Sequence, residues 1–273
     1  MRKATCVVIL QRLMKIAVIV KQVPDTETKA NLGPKGLETQ GVKFILNPYD
    51  EFAVEEAIKT RDKVKGELTV FSLGPDRVVE ALRTSLAMGC DHGVHIQCSE
   101  DDIKACDSFV VAKGLAGALK QKGPFDVIFA GKQAIDDDAL AVPQMVAEFL
   151  GIGRATVVTK LEWSADNKKA TVRRSVEGGA EEVIELTMPA LIAAHKGLNT
   201  PRYASLPGIM KAKQKKLDVL PLSSLGTSPA EAKVEFEKFE LPPERKAGVK
   251  FTGTPEEIAQ KIVQALRNEA KVI

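Results

Sequence analysis

Chemistry in this chain concentrates where an apolar run breaks into glycine, lysine and carboxylates. Val127 to Ala130 reads as a strand buried on both faces; Gly131, Lys132, Gln133, Ala134 and Ile135 follow, and then the consecutive acids Asp136, Asp137 and Asp138. An open α/β sheet binds ligands at such a transition, and glycine there admits another group to the backbone at the strand's carboxyl end. Lys21–Asp25, Ser72–Pro75 and the helix opening Asn47–Asp50 carry related signals, so the four segments together would line one crevice. Gly-Pro turns and helix N-termini offer N–H groups to an anion, which suits a mononucleotide. Neither G-x-G-x-x-G nor a P-loop is present, which disfavours a conventional dinucleotide domain or an NTPase. Ordinary βα loops are the competing reading.

The three acids pull against phosphate unless a metal or a helix dipole offsets them. A Mg²⁺ site is conceivable, but the preferred reading has one Asp capping the next helix and the others facing solvent or a ribose. Lys132 either contacts phosphate or solvates the surface. Catalytic arrangements are thin. His92, His95 and His195 are the only histidines, and Ser72, Ser175 and Ser205 lack a nucleophile signature, so no catalytic residue is assigned.

A second unusual segment runs from Leu198 to Lys216. It sets Tyr203, Leu206, Ile209 and Met210 beside Lys211, Lys213, Lys215 and Lys216. An apolar tip next to a basic cluster suits docking to an acidic protein, with leucine as anchor and lysines speeding encounter. Nucleic acid is the weaker rival: 39 Lys and Arg against 36 Asp and Glu leave a net charge of only +3. A plain solvated helix is the bland alternative.

Elements that would position these residues alternate over the first 150 residues. Strands are expected at Ile16–Lys21, Leu68–Leu73, Gly93–Ile96 and Val127–Ala130. Asn47 would cap the first helix with its side chain, Pro48 suits its first position, and Asp50 favours the positive end of the dipole. Ala53, Val54, Ala57, Ile58 and Val64 give that helix one apolar stripe. A second helix would run from Gly74–Asp76 to Met88 and stop at Gly89, and a third from Asp107 to Lys120. The fourth is expected from Asp138 to Leu150, with Pro143 kinking it or marking where its regular part begins. The alternation predicts a doubly wound parallel sheet. Ala155–Trp163, Ala170–Val176, Glu182–Met188 and Ala190–Ala194 then read as antiparallel strands extending one edge. After Leu198 the chain reads as irregular, with a Ser/Gly/Pro stretch at Pro221–Pro229 and a last amphipathic helix from Pro255 to about Ala270 carrying Ile258, Ile262, Val263 and Leu266.

Cys6, Cys90, Cys98 and Cys106 show no C-x-x-C pair, so zinc, iron–sulfur and c-type haem sites lack their ligand spacing, and a reduced compartment fits best. Met1–Leu10 imitates a signal peptide, but Gln11, Arg12 and Lys15 interrupt it. Residues 1–13 are therefore expected to be a disordered extension, and Met14 is an alternative start.

Lys15–Lys21, Asn47–Asp50, Ala53–Ala57, Leu86–Gly89, Gly131–Asp138 and Leu198–Lys213 closely resemble the β-subunit family of electron transfer flavoproteins, in order and from Lys15 to the C-terminus. The resemblance implies an α/β fold like that of adenine-nucleotide-binding and universal-stress proteins. It also implies a heterodimer whose α subunit carries the redox-active FAD, with a structural AMP bound by this chain. Such a pair carries electrons from acyl-CoA and related dehydrogenases to a membrane quinone oxidoreductase, in the bacterial cytoplasm or the mitochondrial matrix. By position, AMP would meet Ile19, Asn47, Pro48, Tyr49, Asp50, Leu73, Gly131, Lys132, Gln133, Ala134, Ile135, Asp136, Asp137, Asp138, Ala139, Leu140, Ala141 and Val142. The dehydrogenase would meet a recognition loop at Ala194–Lys216, with Leu206 entering its pocket. Residues 14–220 would form the nucleotide-binding domain, and 221–273 an arm and helix packing on the partner subunit. Bifurcating members bind a second FAD in place of AMP; Asp137 and Leu198–Tyr203 follow the AMP-binding pattern, while Ala139, Leu140 and Ala141 stand where polar residues are frequent. A stand-alone adenine-nucleotide sensor is the alternative from another class.

Overall fold

Four short apolar runs pair in parallel as their patterning predicts: Lys15–Ile19 (β1), Glu67–Gly74 (β2), His92–Gln97 (β3) and Val127–Gly131 (β4). The computed structural model describes residues 13–29, 31–33, 36–241, 243 and 247–273; the expected extension at 1–13 lies outside these except for Leu13. Gly153–Trp163 (β5), Lys169–Ser175 (β6), Glu181–Thr187 (β7), Ala190–Ala194 (β8) and Leu217–Pro221 (β9) complete a nine-stranded sheet. Its order is β7-β6-β5-β8-β4-β1-β2-β3-β9. The chain steps from β1 to β2 and β3 on one side and then returns to place β4 on the other. The carboxyl ends of β1 and β4 therefore diverge at a topological switch point, where such sheets open a ligand crevice.

Helices cover both faces, which is why the central strands are apolar throughout rather than alternating. Pro48–Val64 (α1) and Val79–Met88 (α2) pack Ala53, Val54, Ile58, Leu82 and Leu86 against Ile16, Val18, Val70 and Phe129. After the short helix Glu100–Ala105 (α3), Ser108–Lys122 (α4) and Val142–Leu150 (α5) pack Ala112, Leu115, Val146 and Ala147 against Ala17, Ile19, Phe71 and Ile128 on the opposite face. The predicted boundaries hold at the start of α4, where Asp107 proves to be the N-cap and accepts from the Val110 N–H at 2.9 Å, and at the Gly89 stop of α2, where φ is +144°.

Four expectations are corrected. The fourth helix begins at Val142, with Ala141 as its N-cap, so none of the three acids caps it; Pro143 lies in its first turn, where its missing N–H has no intrahelical partner to lose, and marks where the regular helix begins, the second of its two expected roles. Asn47 is the N-cap residue of α1 but its side chain makes no capping bond, because loops across the crevice claim it. β5, β6 and β7 are antiparallel as expected, whereas β8 runs parallel between β4 and β5. Its five residues are all buried, the signature of an interior strand. The stretch after Leu198 is more regular than expected: Leu206–Gln214 forms α6 and β9 pairs in parallel with β3.

Ala30–Leu37 and Lys238–Ile273 cluster as a second compact unit. Within it Leu32–Gly33 pairs with Gly36–Leu37, and Thr254 caps Pro255–Gln264 (α7), which continues as a π-turn over Ala265–Glu269. Ile262, Val263 and Leu266 on this helix are exposed. Among the described residues no helix is long and apolar enough to cross a membrane.

Candidate functional site

Three loops converge at the switch point and are stitched together by two side chains. Ile19 pairs with Ala130 on one side and Phe71 on the other, so Ile19, Leu73 and Gly131 lie near the ends of three adjacent strands. Asn47 donates to the Gln133 carbonyl at 2.9 Å and accepts from the Ile135 N–H at 3.2 Å. Asp50 accepts from the N–H groups of Lys21 at 2.6 Å and Gly131 at 3.1 Å. The N-terminus of α1 is thus fastened to the loop after β1 and to the loop after β4. A Cβ on Gly131 would collide with Asp50 Oδ1 and lie 2.8 Å from both Asp50 N and Tyr49 C. Glycine is required there by the close approach of α1.

Asp50 is 5% exposed, and burial pushes its carboxyl up to about 7; the N–H bonds from Lys21 and Gly131 and the contact with Asn47 pull the other way. The acids that follow are handled at the surface instead. Lys21 Nζ lies 2.8 Å from Asp136 and 3.2 Å from Asp137, Asp137 also accepts from the Ala139 N–H, and Gln133 donates to Asp138. Lys21 therefore offsets part of the charge that would repel a phosphate. The described residues contain no group of three or more His, Cys, Asp or Glu side chains able to hold a metal. Asp138 and Leu140 adopt φ of +50° and +49°, left-handed conformations uncommon outside glycine and enriched at ligand clamps.

His195 joins this site although sequence reasoning passed over it. His195 follows β8, whose parallel register sets Ala194 beside Gly131. It stacks on Tyr49 with ring centroids 5.8 Å apart, and Lys132 Nζ lies 4.9 Å from the same tyrosine ring. Burial, then the charges of Lys132 and Lys196, hold the His195 pKa below its ordinary value, so the ring is neutral at pH 7. Gln144 Oε1, in the first turn of α5, and His195 Nδ1 are buried with no hydrogen-bond partner among the described residues. A buried polar atom left without a partner calls for one, which a water or a bound ligand can supply. The signal for His195 lay in Ala190–Ala194, whose unbroken apolar run announces an interior parallel strand. His95 has no such role: it is buried in β3, with Nε2 2.8 Å from the Gly74 carbonyl.

The second candidate region lies on α6 and its lead-in. Tyr203 is 99% exposed, Leu206 79%, Met210 62% and Ile209 40%, an apolar set turned to solvent. Lys211 and Lys213 occupy the last turn of the same helix and are exposed. Ala212 is the one buried residue of α6.

The electron transfer flavoprotein domain family model matches residues 35–225. The chain is 41% identical over 262 residues to the electron transfer flavoprotein subunit beta of Bacillus subtilis, covering 95% of this chain and 100% of that one. It is 39% identical over 263 residues to the mitochondrial subunit beta of Arabidopsis thaliana, covering 95% and 100%. For the Homo sapiens subunit beta the identity is 38% over 250 residues, covering 90% and 96%.

Proposed function

The chain belongs to the electron transfer flavoprotein family, and from that premise we propose that it is the AMP-holding, dehydrogenase-docking β half of a heterodimeric electron carrier. The observation that carries the nucleotide part is the stitched crevice, in which Asn47 and Asp50 bind the loops after β1 and β4 to α1. Ile19, Asn47–Asp50, Leu73 and Gly131–Val142 would enclose the AMP. The unpartnered His195 Nδ1, on a ring stacked against Tyr49, supports the fit, because a polar atom of a nucleotide would satisfy it. Lys21 supports it too, by offsetting part of the negative charge of Asp136 and Asp137.

Flavin in the partner α subunit supplies the redox chemistry when bound. This chain contributes no catalytic group: it holds a nucleotide and presents the α6 face to acyl-CoA and related dehydrogenases. Electrons then leave to a membrane quinone oxidoreductase, in the bacterial cytoplasm or the mitochondrial matrix. Exposed Ile262, Val263 and Leu266 on α7 are apolar residues that the α subunit would cover.

The test is spectroscopic. Purified alone, this chain shows no flavin absorbance and acquires it only on assembly with the α subunit. Stoichiometric FAD on the isolated chain would overturn the assignment and make a second FAD, as in bifurcating members, the better reading.

A further inference from the structure

Helix α6 is too short and too exposed to hold itself. It has nine residues, against the roughly 12 that an isolated helix needs to be even marginal in water, and only Ala212 is buried. Apolar burial cannot keep it folded while Leu206, Ile209 and Met210 face solvent. Polar side chains at its two ends, tied to α1 and α2, do that work. At its C-terminal end, Arg83 of α2 donates through Nη1 to the carbonyls of Ala212 and, at 2.6 Å, of Lys215, satisfying acceptors that a helix end leaves orphaned and opposing the negative end of its dipole. At the lead-in, Arg202 forks onto Glu55 of α1 with Nε at 2.7 Å and Nη2 at 2.9 Å, and its own N–H donates to the same carboxylate at 3.2 Å. Asn199 donates to the Phe52 carbonyl at 3.0 Å and to Glu56 at 2.9 Å. Between these ends, Gly208 lets the helix lie against α2, since a Cβ there would meet the Ala87 carbonyl oxygen at 2.5 Å.

We propose that Arg83 and Arg202 are positioning residues that hold α6 preset for an incoming dehydrogenase, so that docking selects a helix already formed. The inference rests on the docking reading above. Neither arginine needs to touch the partner: each acts through the fraction of molecules whose α6 is competent to bind, and that fraction scales the association rate while leaving the dissociation rate alone. Leu206 should act on the other rate, because its side chain holds the complex together once it has formed. Lys211 and Lys213 differ again, because steering fades with salt and presetting does not.

The experiment measures association and dissociation of the heterodimer on an immobilised acyl-CoA dehydrogenase at low and high salt, with amide hydrogen exchange over residues 206–214. Arg83→Gln and Arg202→Gln are each expected to slow association by about tenfold at both salt concentrations, leave dissociation unchanged and speed exchange in α6. Arg83→Lys, which keeps the charge on a shorter side chain, should recover part of the loss. Melting temperature stays as in the parent for Arg83→Gln, and assembly with the α subunit is kept by both variants. Faster exchange with unchanged association would overturn the inference, as would unchanged exchange. Leu206→Ala serves as the control: faster dissociation with normal exchange upholds docking itself, and no effect would sink the docking reading and this inference together.

Discussion

The switch-point crevice and the α6 face handle polarity in opposite ways. In the crevice, polar side chains turn inward and are consumed by the protein: Asn47 and Asp50 spend their hydrogen bonds on Lys21, Gly131, Gln133 and Ile135. On α6 the apolar residues turn outward, and polar side chains from behind hold the helix in place. The first arrangement suits a ligand that stays and becomes part of the fold. The second suits a partner that arrives, covers apolar surface and leaves. Changes in the crevice should accordingly cost stability, and changes on α6 should cost binding to the partner alone.

The largest effect expected is Gly131→Ala. Its methyl would collide with Asp50 and with the α1 backbone, so unfolding free energy should fall by about 3 kcal/mol, read by chemical denaturation, with nucleotide retention falling in parallel. An unperturbed stability would break the comparison at its strongest point. Leu206→Ala comes next, weakening dehydrogenase binding by about 2 kcal/mol if it is the anchor, with stability within about 0.5 kcal/mol of the parent. Loss of stability instead would mean that the α6 face is structural.

Asp50→Asn sharpens the comparison through pH. Burial lifts the folded pKa to about 7 from the ordinary 3.8. Between those values the folded chain binds the proton that the unfolded chain releases, so the contribution is fully present below 3.8 and is lost as pH rises through about 7. The variant should flatten the dependence of stability on pH across that window, measured by urea denaturation at a series of pH values. The smallest effect belongs to Lys211 and Lys213. Replacing both with Gln should slow association a few-fold at low salt and scarcely at all at high salt, in stopped-flow measurements.

Much of this architecture was legible from short-range patterns. The interior strands announced themselves as unbroken apolar runs, and Gly89 and Asp107 gave the right end for α2 and the right start for α4. What misled were cues that tertiary contacts override. Asn47 has the chemistry of a cap, but Gln133 and Ile135 compete for its side chain, and they lie 86 and 88 residues away. Asp136–Asp138 looked like a helix start, yet the loop runs on to Ala141 through two left-handed residues. Reading Ala190–Ala194 as antiparallel moved His195 away from Gly131, although five consecutive apolar residues were the available sign of a central strand. Arg83 and Arg202 carried no sequence signal, because their partners are main-chain carbonyls and a glutamate distant in the chain.

The most direct test of the central claim is the identity of the nucleotide released when the purified heterodimer is denatured. Mass spectrometry should find one AMP and one FAD per heterodimer. Two FAD and no AMP would contradict the account.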